Sequence, residues 1–138
     1  MSSQIKYQAP EISKKEMDKA FNVKLNSDNI IEVEWNPNID EIKKEHLVLL
    51  TSIIKDLGHE KKMLVYIDTC NFMSITPEAR AYAATKEASE FTQANAVLAD
   101  ALSKKLLFNF FVKINKPIVP TKGFSSKEEA FNWLKSQL

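Results

Sequence analysis

A single α/β domain, with a mixed sheet of about five strands flanked by about four helices, is the fold class the sequence predicts, on three observations. Met63-Leu-Val-Tyr-Ile-Asp68 is an unbroken apolar run closed by an aspartate, as in a strand buried on both faces. Residues 21–35 alternate apolar and polar in the period of half-buried strands. Segments whose apolar residues recur at helical spacing lie between and after these runs, so strands and helices alternate along the chain.

With 138 residues the chain has the length of one domain and can bury roughly two thirds of its unfolded surface, enough for a core without staples. Hydrophobic residues make up 44% and charged residues 27%, which argues against wholesale disorder. Nineteen basic residues against eighteen acidic ones give a formal charge of +1, so no global field draws the chain to nucleic acid or to an anionic membrane. The first residues, Met1-Ser-Ser-Gln-Ile-Lys-Tyr-Gln8, lack a signal-peptide core and no apolar run is long enough to span a bilayer. A cytoplasmic location without membrane insertion is expected. The lone Cys70 has no partner for an internal disulfide, which suits a reducing compartment.

Residues 1–18 are polar and charge-mixed, with Pro10 and no sustained period, and are expected to form a flexible N-terminal arm before a domain over 19–138. Phe21, Val23 and Leu25 alternate with polar residues, Asn26-Ser-Asp-Asn29 supplies a turn, and Ile31, Val33 and Trp35 resume the alternation. These strands form an antiparallel hairpin at one edge of the sheet. After Asn36-Pro37-Asn38, the residues Ile39, Ile42, His46, Leu49, Leu50, Ile53, Ile54 and Leu57 make the stripe of a first helix. Asp40 and Glu41 fall in its first turn and Gly58 at C′. Met63 to Asp68 then completes a strand, helix, strand unit with a right-handed crossover.

Thr76 and Pro77 open a second helix as N-cap and first helical residue, expected to run to about Glu90 and carrying alanines at 79, 81, 83, 84 and 88. Thr92 to Ala99 is a second interior strand, with Ala94, Ala96 and Leu98 on one face and Val97 and Ala99 on the other. Residues 101–114 suit a strand by composition and a helix by the spacing of Leu102, Leu106, Phe110 and Ile114; length and the alternating order decide for helix. Pro117 and Pro120 confine a short strand around Ile118 to Phe124 to an edge. Ser125-Ser-Lys-Glu128 is a capping box for a last helix that buries Ala130, Phe131, Leu134 and Leu138, with Trp133 beside them.

This order of elements resembles the STAS superfamily, the domain of anti-sigma-factor antagonists and sulfate-transporter tails. Leu64-Val-Tyr-Ile-Asp68, Thr76-Pro-Glu-Ala-Arg80, Asn109-Phe-Phe111, Lys116-Pro-Ile-Val-Pro120 and Glu129-Ala-Phe-Asn-Trp-Leu134 look like its small, uncharacterised bacterial branch, described as STAS/SEC14-like. The resemblance spans roughly residues 20–138 and rests on short patterns. It implies a serine phosphorylated two positions after the aspartate that ends the central strand, in a pattern like Asp-Ser-Ser-Gly. Here that position is Cys70, within Asp68-Thr69-Cys70-Asn71; the serine and glycine are missing and the loop to the helix is longer. Thr69, Ser74 and Thr76 are the hydroxyls left for such a switch.

Asp68 and Asp100 close inferred parallel strands and are expected on one edge of the sheet, without a D-x-D pattern, a glycine-rich loop or a nearby lysine to make them catalytic. The turn after Thr76, with Arg80 one turn in, is a small anion site in outline, although every helix has such an end. Cys70 reads as an apolar filler rather than a reactive thiol, and with His46 and His59 it matches no metal-ligand pattern. Leu106-Leu-Phe108 and Phe110-Phe-Val112 cannot all hide on one helix face against a sheet; plain core packing, a second copy of the chain, a partner protein, a lipid-like ligand and the N-terminal arm are the alternatives for what covers them.

The sequence therefore points to a non-catalytic regulatory or protein-interaction module of STAS-like type, with Asp68 to Arg80 as recognition face and a protein partner or self-association expected. The alternative is a carrier or sensor of a small apolar or anionic ligand, as the SEC14-like resemblance implies, held between the aromatic helix and the strand ends by Phe108 and Phe111. An uncharacterised enzyme is third. Asp68, Thr69, Cys70, Asn71, Ser74, Thr76, Arg80, Asp100, Phe108 and Phe111 are the candidate binding residues. No cofactor, metal or nucleic acid is expected.

Overall fold

A computed structural model describes residues 20–70 and 74–138, so the expected N-terminal arm lies outside the described residues. Strand β1 (Phe21–Leu25) turns into β2 (Ile30–Trp35), and a short β3 (Glu41–Ile42) precedes α1 (Lys44–Leu57). Then come β4 (Met63–Asp68), a short β5 (Ser74–Ile75), α2 (Pro77–Ala83), α3 (Lys86–Ser89) and β6 (Thr92–Leu98). The chain closes with α4 (Leu102–Asn115), β7 (Thr121–Phe124) and α5 (Lys127–Lys135). Five strands form one mixed sheet in the order β1-β2-β4-β6-β7, antiparallel only between β1 and β2. This is the expected sheet with its hairpin edge. Asn26 makes the turn: its side-chain oxygen accepts the N–H groups of Asp28 and Ile30 at 2.8 and 3.0 Å, while Asn29 takes the left-handed backbone that asparagine tolerates.

The central run behaves as its composition predicts, because β4 buries alternate side chains in two separate cores. Met63 and Val65 join Ile31, Val33, Trp35, Leu50 and Ile54 beneath α1 and α2. Leu64 and Tyr66 join Ile30, Ala94, Ala96, Ala130 and Leu134 beneath α5. Each large apolar side chain so enclosed contributes on the order of 1.5–3 kcal/mol. Alanine at 94 and 96 lets α5 lie close to the sheet.

Several expectations shift once tertiary pairing is present. The first helix starts at Lys44, because Glu41 and Ile42 pair in parallel with Ser74 and Ile75; Asp40 and Glu41 are therefore not in its first turn, and Glu45 is. Gly58 ends that helix with φ −88°, not in the left-handed region, and is small for packing reasons: a Cβ there would run into Met63 Cγ. The second helix breaks in two at Thr85, whose hydroxyl donates to the Tyr82 carbonyl at 2.7 Å and accepts from the Ala88 N–H at 3.2 Å, capping α3 instead of continuing α2. Strand β7 begins only after Pro120, since neither proline can donate to a ladder. The last helix is N-capped by Ser126, one residue later than expected, its Oγ accepting the Glu129 N–H at 3.2 Å and donating to the Glu129 carboxylate at 3.3 Å, and Leu138 lies exposed beyond the end of α5.

His46 closes the start of α1. Its Nδ1 accepts the Lys43 N–H at 2.9 Å, so the ring must be neutral there, and it stacks edge-on against Trp35. Burial, reinforced by the charge of Lys43, holds its pKa below the ordinary 6.5. The folded value lies under the unfolded one, so this contribution to stability is complete above pH 6.5 and is lost as pH falls through the folded-state value. Urea midpoints measured across that window are expected to fall with acid for the parent. His46→Gln, which can keep the capping bond but cannot titrate, is expected to flatten that part of the profile.

Candidate functional site

The carboxyl ends of the parallel strands gather most of the side chains singled out by sequence. Asp68 ends β4, and its Oδ1 accepts the Cys70 N–H at 2.7 Å, holding Cys70 in the left-handed region at φ 62°. Asp100 follows β6 at the same edge. Between them stands a residue that the sequence reading left as one more position of the aromatic helix: Lys104, buried, donates to the Cys70 carbonyl at 2.8 Å and to Asp100 Oδ1 at 2.9 Å. The absence of a nearby lysine is thus corrected. Its signal was the spacing of Asp100 and Lys104, four residues apart across a helix start. The bond from Lys104 holds the Asp100 carboxyl below the usual carboxylate range.

Asp68, Cys70 and Glu34 of β2 bring ligand-capable atoms within 4.8 Å of one another, with Cys70 Sγ 3.8 Å from a Glu34 oxygen. Burial, then the charges of Asp68 and Glu34, push the Cys70 thiol up from its usual pKa, so it stays protonated at neutral pH. A thiol held protonated is a poor nucleophile.

The remaining candidates divide. Thr76 caps α2, accepting the Ala79 N–H at 3.1 Å, and exposed Ser74 reaches the Asp40 carbonyl at 3.4 Å. Arg80 turns inward: Nη1 donates to the Ile75 carbonyl at 3.0 Å and the guanidinium sits 5.1 Å from the Phe110 ring. Asn71 lies outside the described residues.

Phe108, Phe111 and Thr69 line a cavity of about 210 Å³ on the sheet face away from α5. Val65, Ile67 and Val97 form its floor, Leu50 and Ile54 of α1 one wall, and Leu107, Phe108 and Phe111 of α4 the other. Ala83, Ala88 and Ser89 close it with small side chains, which leave the volume unfilled. Gly123 lets α4 come down at the far edge, since a Cβ there would press on the Phe108 ring at 3.1 Å. The polar groups bordering this apolar space include Thr69 and Lys104 just beyond the carboxyl ends of the parallel strands and Asn95 in the middle of β6. Phe108 and Phe111 thus lie between α4 and the sheet.

Among the described residues, no helix is long and apolar enough to cross a membrane. No curated protein matches the chain. Among solved structures, an uncharacterized protein of the DUF3478 family from Shewanella loihica PV-4, described as having a SpoIIAA-like fold, aligns over 83% of this chain and 92% of its own. The two are 14% identical and superpose with a TM-score of 0.57, a likeness of fold. A protein of unknown function from Arthrobacter sp. FB24 is 21% identical over 83% of this chain and 98% of its own, with a TM-score of 0.32. Residues 23–138 match the model of a domain of unknown function, DUF7793. The sheet order, the helices on its two faces and the likeness to the Shewanella protein give a STAS-like, SpoIIAA-like fold, and the chain belongs to the DUF7793 family.

Proposed function

We propose that the chain is a non-catalytic STAS-like module that carries or senses a small, mainly apolar molecule in the cavity between the sheet and α4. The observation behind this reading is the cavity itself, built from Phe108, Phe111, Ile67 and Val97 at the strand ends. At about 210 Å³ it exceeds the ~150 Å³ apolar void known to take up benzene, and its lining is mostly apolar. Lys104 at its border has three donors, two of them engaged, so a ligand with one polar or carboxylate end has a partner there. A recognition face over Asp68 to Arg80 has less in its favour, because Arg80 is drawn toward α4 and Ala83 faces the cavity.

Native mass spectrometry of the chain purified from its own host tests this, paired with intact mass under denaturing conditions. The expected result is added mass that disappears on denaturation and is lost in Phe108→Ala. Ala83→Leu is expected to exclude the ligand by filling the space, and to leave the empty protein as stable as before or firmer by about 0.8 kcal/mol per methylene buried. A bare mass in the parent would sink the carrier reading. Retained ligand in both variants would move it to another site.

A further inference from the structure

The net charge of +1 conceals a segregation. Between Ala101 and Lys127 the chain has six lysines and neither aspartate nor glutamate, although it has 18 acidic residues in all. The same stretch holds most of the exposed large apolar side chains: Leu102 is 72% exposed, Leu106 61%, Phe110 46%, Ile114 57% and Ile118 59%. The first four recur every fourth residue, so they form one row along α4 that is exposed and does not line the cavity, with Phe110 of the row beside the Arg80 guanidinium. Lys104 is buried on Asp100 and Lys127 pairs with Glu32. The other four, Lys105, Lys113, Lys116 and Lys122, are exposed, and none forms an ion pair with a described residue. By helical geometry Lys105 and Lys113 border the apolar row along one side.

We propose that the exposed face of α4 docks on the surface of an anionic lipid bilayer, with the row from Leu102 to Ile114, and Ile118 just beyond the helix, seated among the upper acyl chains and the lysines at the headgroups. Three features select this occupant. A single row of separate side chains on a convex helix fits a fluid surface, which needs no matching groove. The flanking charge is of one sign and complements anionic headgroups. A second copy laid against the same row would bring lysines to lysines with no acid between Ala101 and Lys127 to compensate them. The contact is peripheral and involves no spanning helix, so it agrees with the expected absence of membrane insertion. It is independent of the ligand reading, because Leu102 and Leu106 do not line the cavity.

The test is co-sedimentation of the full chain with phosphatidylcholine vesicles, with and without about a third phosphatidylserine, at low and high salt. Binding is expected to the anionic vesicles alone, with release by salt. Lys105→Gln or Lys113→Gln is expected to weaken it about fivefold each, the worth of one surface lysine. Leu102→Asp with Leu106→Asp is expected to weaken it more than tenfold while the circular dichroism spectrum and urea midpoint stay as in the parent, since both side chains are already exposed. No binding to anionic vesicles overturns the proposal, as does binding that the paired aspartates leave unchanged. A dimer in sedimentation equilibrium that the same pair dissolves would give the face to a second copy and also overturn it.

Discussion

Trp35→Ala is expected to cost about 3–5 kcal/mol of folding stability, the usual toll of removing a large buried ring without replacing its volume. Trp35 is almost fully enclosed, packs edge-on against Phe21 at 4.9 Å between ring centroids, and meets His46 at 5.9 Å. It is also a wall of the cavity, so its loss extends the empty space toward α1. The substitution should therefore lower the urea midpoint and, if the cavity holds a ligand, loosen or alter what is bound. A domain of this size has roughly 5–15 kcal/mol in all, so the variant stands near the limit of folding. Trp35→Phe, which keeps much of the volume, is expected to retain most of the stability. An Ala variant as stable as the parent would show that the β1, β2 and α1 contacts are not the core they form here.

Leu134→Ala is expected to cost about 2–5 kcal/mol from the opposite face. Leu134 and Ala130 are fully buried and seat α5 on Leu64, Tyr66, Ala94 and Ala96, with Phe131 packed against Tyr66 at 5.1 Å between centroids. No side chain of this helix lines the cavity, so added mass in the native spectrum should persist wherever the variant remains folded. The two substitutions form a matched pair: similar loss of stability, with ligand affected only by Trp35. Equal loss of ligand in both would mean that occupancy follows global stability instead of the cavity wall.

Where one strand or helix carried its own signal, the fold was legible. The unbroken Met63 to Asp68 run foretold burial on both faces, Asn26 to Asn29 foretold the hairpin turn, and length and the alternating order of elements decided for a helix over residues 101–114 where composition and spacing disagreed. Features that depend on distant partners were not legible. Glu41 and Ile42 become a strand only because Ser74 and Ile75 lie beside them, and no local pattern announces that pairing. Thr85 could have been read as a cap, but the alanines around it argued for an unbroken helix. Asp100 and Lys104 had the right spacing for an ion pair, yet only the fold brings the Cys70 carbonyl to the same ammonium. The cavity is a difference in volume among several elements. Phe108 and Phe111 were in view as its wall, and the alanines that leave it open were not.

The single antiparallel edge of the sheet also bears on how the chain reaches this structure. Val23 meets Val33 across a four-residue turn, a contact a chain can make within microseconds. The parallel pairings join Ile31 to Val65, Leu64 to Ala94 and Asn95 to Thr121, each only after an intervening helix has been laid down. Such long closures are paid in chain entropy before any contact repays them, so folding is expected in milliseconds or slower, growing outward from the hairpin toward β7. The working end of the sheet, with Lys104 and the cavity, is thus assembled late, on a platform that the hairpin of residues 21–35 has already begun.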